Sequence, residues 1–378
     1  MSLLRLPTWS GRWNRPANRA GVTGWNVQRY KGGVRRRLPA SAILLAATLA
    51  GCSGVATTPT PTATPARATA TNPPSQTTCP LPIPALASPA ATFGNAEFPV
   101  PTSTAILDIA VGPDGSAWFT EQTANQIGRV TAEGKVVEYS VGRNGPPRAI
   151  TRGADGAMWF TEDTGSIGRI GPDGVISEYP LPLPGRAWAI GTGPDGNVWF
   201  TDQATSQVGK VTVCGVVSEY PVSGPPSFIT PAADGNMWFS ATGIGRITPA
   251  GSVREFPVNI PAEYLVGARD GNVWFLSDGS ADFPPEVGSI SPTGMVKRYP
   301  VGGPPRSLAG LTLGAGDTLW FSDGKLSRVG RLSLNGTITE YALPWGDVTP
   351  SSLASGPDGR LWIVDAGGSR IVHLIPPA

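Results

Sequence analysis

The sequence predicts an all-β fold, a seven-bladed β-propeller with four antiparallel strands per blade, over residues 93–378. Three observations carry this expectation. A Gly turn followed by a Trp recurs at Trp118, Trp159, Trp199, Trp238, Trp274, Trp320 and Trp362, in steps of 41, 40, 39, 36, 46 and 42 residues. A period near 40 marks propellers and other arrays in which each repeat is one supersecondary unit. Each repeat also divides into four short β-prone runs separated by turn signals, and no apolar pattern of helical period occurs among them, which excludes an α-solenoid. Finally, seven blades of about 40 residues need about 280, and the span from 97 to 378 supplies them.

The segments ahead of the repeats have a different character. Residues 1–37 carry nine Lys/Arg and no acid, and the first acidic residue of the chain is Glu97. A basic stretch ending at Arg35, Arg36 and Arg37 leads into the apolar run Leu38 to Ala50, which is too short to span a bilayer. A basic region followed by a short apolar run reads as a secretory signal, here assigned to residues 1–51. Its basic part is long enough that the true start could lie downstream of Met1. The run ends Leu49-Ala50-Gly51-Cys52, which resembles the lipobox of bacterial lipoproteins. That resemblance implies cleavage before Cys52, lipidation of its sulfur, and an extracytoplasmic protein anchored to the bacterial membrane.

Residues 52–92 are rich in Thr, Pro, Ala and Ser, as in Thr57-Thr58-Pro59-Thr60-Pro61. Such a stretch buries little apolar surface and disfavours helix, so an extended tether is expected, holding the folded domain off the membrane. The formal charge of +2 belongs to the whole chain; without the nine cations of residues 1–37, 20 Lys/Arg face 27 Asp/Glu, a balance of −7. A mildly acidic domain lacks the basic stripe of a nucleic-acid binder. Of the three cysteines, Cys52 is the expected anchor. Cys79 in the tether and Cys214 in a repeat turn could form a disulfide in an oxidising compartment or remain two thiols.

The second repeat shows the elements in order. Ala149-Ile150-Thr151 is a short strand, and Asp155-Gly156 is a hairpin signal, since Gly accepts positive φ at little cost. Met158-Trp159-Phe160-Thr161 forms a β-prone second strand, Ile167-Gly168-Arg169-Ile170 a third, and Val175 to Tyr179 a fourth stopped by Pro180. Each repeated Trp is expected between neighbouring blades, where burying its ring is worth roughly 2–3 kcal/mol. The last repeat lacks a fourth strand, and Glu97-Phe98-Pro99-Val100 ahead of the first repeat matches the missing piece. The N-terminal strand should therefore complete the last blade and leave fewer exposed sheet edges.

Two charged columns are expected to pair across adjacent strands, at roughly 0.2–1 kcal/mol a pair. The third strands carry Arg129, Arg169, Lys210, Arg246 and Arg331, and the fourth carry Glu138, Glu178, Glu219, Glu255 and Glu340. In the fifth repeat both columns change, to Ser289 and Arg298. His373, the chain's single histidine, stands in the cation column of the last repeat, with Glu97 as its expected partner.

Chain direction places the starts of the first strands around one mouth of the central channel, with the ends of the second strands beside them. Counting 11 residues back from each Trp gives Leu107, Arg148, Trp188, Ser227, Glu263, Ala309 and Ser351. Three residues after each Trp stand Glu121, Glu162, Asp202, Ala241, Ser277, Asp323 and Asp365. The first ring converges a cation, an indole, an acid and two hydroxyls, as a ligand site built from several loops does. The ligand-binding candidates are therefore Arg148, Trp188, Ser227, Glu263 and Ser351, with Glu162, Asp202, Asp323 and Asp365 from the acidic ring. The alternative is a solvated surface whose carboxylates are balanced by Arg148, Arg186 and Arg306. The acidic ring could hold a divalent cation, Mg or Ca, but no His joins it, which argues against a transition metal.

Gly112-Pro113-Asp114-Gly115, Trp159-Phe160-Thr161-Glu162, Ile167-Gly168-Arg169-Ile170 and Glu178-Tyr179-Pro180-Leu181-Pro182 resemble the repeats of the streptogramin B lyase (virginiamycin B lyase) family, over nearly all of 97–378. The resemblance implies a seven-bladed propeller. In members with the activity it also implies ring-opening elimination at the ester of a cyclic depsipeptide antibiotic, using a histidine base and a magnesium ion. The family's functional histidines follow a Pro at the start of the first strand in the last two repeats. Here those positions read Ala309 (or Arg306, allowing for an insertion) and Ser351; the acid two residues before the second is Thr349, and Asp365 matches the late carboxylate. The reading that follows is a tethered, monomeric propeller that binds a small molecule, a peptide or an envelope component without streptogramin lyase activity. The alternative is a diverged metal-dependent lyase or lactonase-like hydrolase.

Overall fold

The structure, a computed structural model, describes residues 94–376 except 103–104, 143–144, 259–260, 279–283 and 303–305. All of these fall within one unit of the chain, Pro65–Ala378. The signal region 1–51, Cys52, the tether and Cys79 lie outside the described residues. Cys214 is disulfide-bonded.

Seven four-stranded antiparallel sheets follow one another along the chain. The innermost strand of each packs against those of both neighbours, and that of the first sheet meets that of the last, so the blades form a ring. Blade 2 represents the unit, with strands Pro147–Arg152, Met158–Glu162, Ser166–Ile170 and Ile176–Pro180 from the axis outward. Among the described residues the single helical piece is a 3-10 turn at Ala315–Asp317. In the last sheet the outermost strand is Ala96–Pro99, paired antiparallel with Arg370–Leu374, Phe98 opposite Ile371.

Each repeated Trp is buried and reaches across to the next blade. Trp159 packs with Val198 and Phe200, Trp199 with Met237 and Phe239, and Trp362 with Ile109 and Phe119. The Phe after each Trp explains the Gly of the Ile-Gly-Arg motif. A Cβ on Gly128, Gly168 or Gly209 would overlap the ring of Phe119, Phe160 or Phe200, so only Gly admits the phenyl. In blade 7 both partners change, with Val372 opposite Ile363.

The cation column pairs differently from the sequence expectation. Arg169 binds Asp155 at 2.7 Å, Arg246 binds Asp234 at 3.3 Å, Lys210 stands 3.9 Å from Asp195, and Arg129 pairs with Asp114. These aspartates belong to the first hairpin turn. The same carboxylate accepts the indole N–H of its own blade, Trp159 to Asp155 at 3.1 Å and Trp199 to Asp195 at 3.0 Å. The cation also lies over that indole, Arg129 at 4.9 Å from the Trp118 ring centre, while the fourth-strand aromatic stacks on it, Tyr179 on Trp159 at 5.4 Å. Turn, Trp, cation and Tyr thus form one repeated lock.

The register explains why the glutamates stand apart from it. Glu178 lies opposite Gly168 while Arg169 lies opposite Ser177, so the pleat sends the two charges to opposite faces. The glutamates reach back to the preceding connection: Glu178 accepts from the Gly142 N–H at 3.1 Å and Glu255 from the Ser223 N–H at 2.9 Å. Third-strand cations that reach them stand two residues before the position opposite the glutamate, as in Arg328 with Glu340 at 3.5 Å and Arg370 with Glu97 at 2.7 Å, and Glu340 also binds Arg306. In blade 5 the same position carries Glu286, which Arg298 binds at 2.8 Å. His373 therefore does not pair with Glu97. It sits opposite Ala96, fully buried, with Nδ1 2.9 Å from the Gly94 carbonyl and its ring 4.6 Å from that of Trp362. Burial holds its pKa below the ordinary histidine value.

Candidate functional site

The channel mouth is shaped by a distortion repeated around the ring. The innermost strands of blades 1, 2, 3, 5, 6 and 7 each slip register near their start, for example between Pro147 and Ile150 and between Glu263 and Val266. Bulges of this kind re-aim side chains. In blades 1, 2, 3, 5 and 7 the residues 11 and 10 before the Trp both line the channel mouth.

The second-strand hydroxyl two residues after the Trp fixes this geometry. Thr161 accepts the N–H of Ala149 at 3.1 Å and donates to the carbonyl of Trp188 in the next blade at 3.2 Å. Thr120 bridges Asp108 and Arg148 in the same way, and Thr201 bridges Ala189 and Ser227. Each hydroxyl thus holds its own bulge and the start of the following blade.

These residues surround a central cavity of about 760 Å³. Of the expected ring, Arg148, Trp188, Glu263 and Ser351 line it, together with Leu107. Ser227 and Ala309 are absent from its lining, and their blades present Phe228 and Gly310 instead. The sequence reading missed the second position of each bulge, which adds Asp108, Phe228, Tyr264 and Ser352. Counting ten residues back from each Trp would have found them.

One wall is cationic and aromatic. The Arg148 guanidinium lies 3.1 Å from the centre of the Trp188 ring, and that of Arg186 lies 4.8 Å from it. Both approach a single carboxylate, Asp163, at 3.8 Å. Phe228 and Tyr264 continue the wall, their rings 4.5 Å apart. Tyr264 is held at φ 49°, a left-handed conformation unusual for an aromatic residue, and burial pushes its hydroxyl up to about 12. Beside it, burial and the neighbouring Asp278 charge hold the Glu263 carboxyl above its ordinary range. Asp108 is committed to the scaffold. It accepts Ser352 Oγ at 2.7 Å and the Ile150 N–H at 2.9 Å, tying blades 7, 1 and 2 together, and burial raises its pKa.

The acidic ring lies beneath this surface. Glu162, Asp202, Asp323 and Asp365 are fully buried, and none lines the cavity. Asp202 accepts the N–H groups of Arg186 and Ala204, each at 2.9 Å. Asp323 binds Arg306 at 3.0 Å, and Asp365 accepts the Thr349 N–H at 2.8 Å and binds Arg370 at 2.7 Å. Glu162 is pushed up to about 8, first by burial and then by the adjacent Glu178 carboxylate. Glu219 is pushed up to about 7 by burial and by Asp202.

The magnesium that the family resemblance implies does not fit this donor set. A hard cation needs several oxygens directed at one point. Here Asp202, Asp323 and Asp365 serve main-chain N–H groups, two of them arginines as well, and no group of three or more His, Cys, Asp or Glu able to hold a metal occurs among the described residues. The positions that the family resemblance assigns to its histidines hold other residues here. Ala309 and Ser351 offer their carbonyls to Ser322, and Arg306 is locked between Asp323 and Glu340.

A family model, the virginiamycin B lyase family, matches residues 93–283 and 261–376. The chain belongs to this family. Its ring of seven blades resembles the solved structure of a streptogramin B lyase, at 28% identity over 74% of this chain and 96% of that one, with a TM-score of 0.68. Virginiamycin B lyase from Staphylococcus aureus is 29% identical over 75% of this chain and 99% of its own, with a TM-score of 0.69. A catalytically inactive His-to-Ala variant of the S. aureus enzyme, solved with quinupristin, matches at 29% identity and a TM-score of 0.68, over 75% of this chain and 99% of that one. No curated protein matches the chain significantly.

Proposed function

We propose that this family member is a binding propeller, tethered outside the cytoplasm through Cys52, that takes a ligand at the mouth of its central cavity and does not open streptogramins. One observation carries the second half. Proton abstraction needs a base within reach of the substrate. The last two blades begin at Ala309 and Ser351, and the chain's one histidine is buried against Trp362, outside the cavity lining. In the S. aureus relative, a single His-to-Ala change is described as catalytically inactive. The first half rests on the mouth itself, where Arg148, Trp188 and Glu263 meet around a cavity of ligand size.

The decisive experiment incubates the purified full-length protein with a streptogramin B antibiotic and magnesium, beside an active lyase as control, and follows ring opening by chromatography. No turnover is expected. Clear turnover would mean that another base, with Glu263 the first suspect, has replaced the histidines. The tether rests on the lipobox-like Leu49-Ala50-Gly51-Cys52, and the Cys214 disulfide agrees with an oxidising compartment. Metabolic labelling with a radioactive fatty acid should mark the wild type and not Cys52→Ser; equal labelling of both would remove the anchor.

A further inference from the structure

We propose that the cavity mouth takes a short peptide with free ends, its carboxylate at Arg148, its amine at Glu263, and an apolar side chain against Trp188, Phe228 and Tyr264. This deepens the binding role proposed above and rests on it.

The first argument is placement. Arg148 is on blade 2 and Glu263 on blade 5, three steps apart in a ring of seven, so the two charges stand on opposite sides of the mouth. Between them the intervening blades contribute Trp188 and Phe228, and blade 5 adds Tyr264, all lining the cavity. The arc therefore reads cation, indole, phenyl, phenol, anion. A ligand that satisfies it carries opposite charges at its two ends and an apolar body between them. A cavity of about 760 Å³ accommodates a molecule of tripeptide size.

The second argument is charge balance. On the blade 2 and 3 side, two guanidiniums, Arg148 and Arg186, share one carboxylate, Asp163, and each stands 3.8 Å from it. Asp163 alone cannot balance both guanidiniums, and Arg148, 3.1 Å from the centre of the Trp188 ring, lines the cavity, where a guanidinium offers the planar, bidentate contact that a carboxylate takes. On the blade 5 side, Glu263 faces a second acid, Asp278. Among the described residues Glu263 has no ion pair. A ligand ammonium would relieve both the like-charge repulsion and the desolvation of that carboxyl. Of the remaining charged lining residues, Asp108 is near enough to act on Arg148, but burial favours its neutral form and it is engaged by Ser352 and the Ile150 N–H, while Arg152 is exposed at the far end of its strand.

The test uses Leu-Phe-Leu and three derivatives, N-acetylated, C-amidated and blocked at both ends, titrated calorimetrically into the full-length protein. Each block should weaken binding by about tenfold, the loss expected of one hydrogen bond to a charged group. In Arg148→Gln the acid and the amide should bind equally; in Glu263→Gln the amine and its acetyl derivative should bind equally. Thermal melts of both variants establish that they fold, and the wild-type series decides the matter alone should one of them not. A doubly blocked peptide that binds as tightly as the free one would overturn recognition of the two ends while leaving the cavity a binding site. Binding by none of the four would overturn the inference as well. Ring opening of a streptogramin would strike instead at the reading beneath it.

Discussion

The buried Glu162 of blade 2, beside the half-buried Glu178, makes the sharpest test of the electrostatics. Glu162 is fully buried at the end of its strand, beside Glu178, and is pushed up to about 8 by burial and by that neighbouring charge. The sign follows from linkage. A carboxyl that binds its proton more tightly in the fold than in the unfolded chain favours the fold at low pH, and this contribution is lost as pH rises from the ordinary 4.5 through about 8. The full interval corresponds to at most ~5 kcal/mol at ~1.4 kcal/mol per pH unit, and water penetration and local relaxation bring the working figure to ~2 kcal/mol. Replacing Glu162 by Gln keeps the shape and the neutral form and removes the charged one. At about 2 °C per kcal/mol for a domain of this size, Glu162→Gln should raise Tm by ~3–4 °C at pH 9 and leave it nearly unchanged at pH 5. Differential scanning calorimetry at the two pH values reads this directly. A gain of equal size at both, or a loss at pH 9, would refute the assignment of a buried, proton-holding carboxyl.

Two further predictions concern the scaffold. Asp155→Ala removes the acceptor shared by Trp159 at 3.1 Å and Arg169 at 2.7 Å, leaving a buried indole N–H and a mostly buried guanidinium unpaired. The loss should be ~3 kcal/mol, read as a lower urea midpoint at unchanged slope, and an unchanged midpoint would dissolve the lock. Under reducing conditions, which set aside the Cys214 disulfide, a chain beginning at residue 93 should melt like the longer protein, whereas one beginning after Val100 should melt well below it. The second truncation removes Ala96–Pro99 from beside Arg370–Leu374 and Phe98 from Trp362, 5.8 Å away. Equal melting points would deny that strand a stabilising role.

The fold was legible because its largest side chains recur in step. A Trp every 36 to 46 residues, followed by Phe and answered by Gly on the next strand, leaves few architectures that bury all three. Partner assignments were less legible, because spacing says which strands adjoin but not which face a side chain takes. Arg169 and Glu178 looked complementary, yet the pleat separates them and gives Arg169 to a turn aspartate 14 residues earlier. The site was half legible. The positions 11 before each Trp included Arg148, Trp188, Glu263 and Ser351, but a bulge that presents the following residue as well leaves no mark in a period-2 pattern. The acids at the ends of the second strands were misplaced for a related reason. Whether such a carboxylate faces solvent or caps a loop depends on the loop's course, and here Asp202, Asp323 and Asp365 all accept main-chain N–H groups.

A second set of hydrogen bonds, from hydroxyls on the second strands, bears on how much the mouth side chains contribute to holding the ring together. The hydroxyls of Thr120, Thr161 and Thr201 bind only main-chain atoms of the bulges, N–H on one side and C=O on the other. The side chains at the bulges are thereby released from holding the ring together, and can be exchanged without loosening it. The rule is informative where it breaks. Blades 5 and 7 have Leu276 and Val364 in the hydroxyl position, and there other side chains bridge the blades instead. Asp278 accepts the Leu308 N–H at 2.7 Å, and Ser352 donates to Asp108 at 2.7 Å. Asp108 and Ser352 therefore line the cavity as structural parts, whereas Arg148, Trp188 and Glu263 make no side-chain hydrogen bond among the described residues that the scaffold requires. If the mouth binds a ligand as proposed, its specificity should lie on blades 2, 3 and 5, where Arg148, Trp188 and Glu263 line the cavity, and substitutions there should alter binding more than they alter stability.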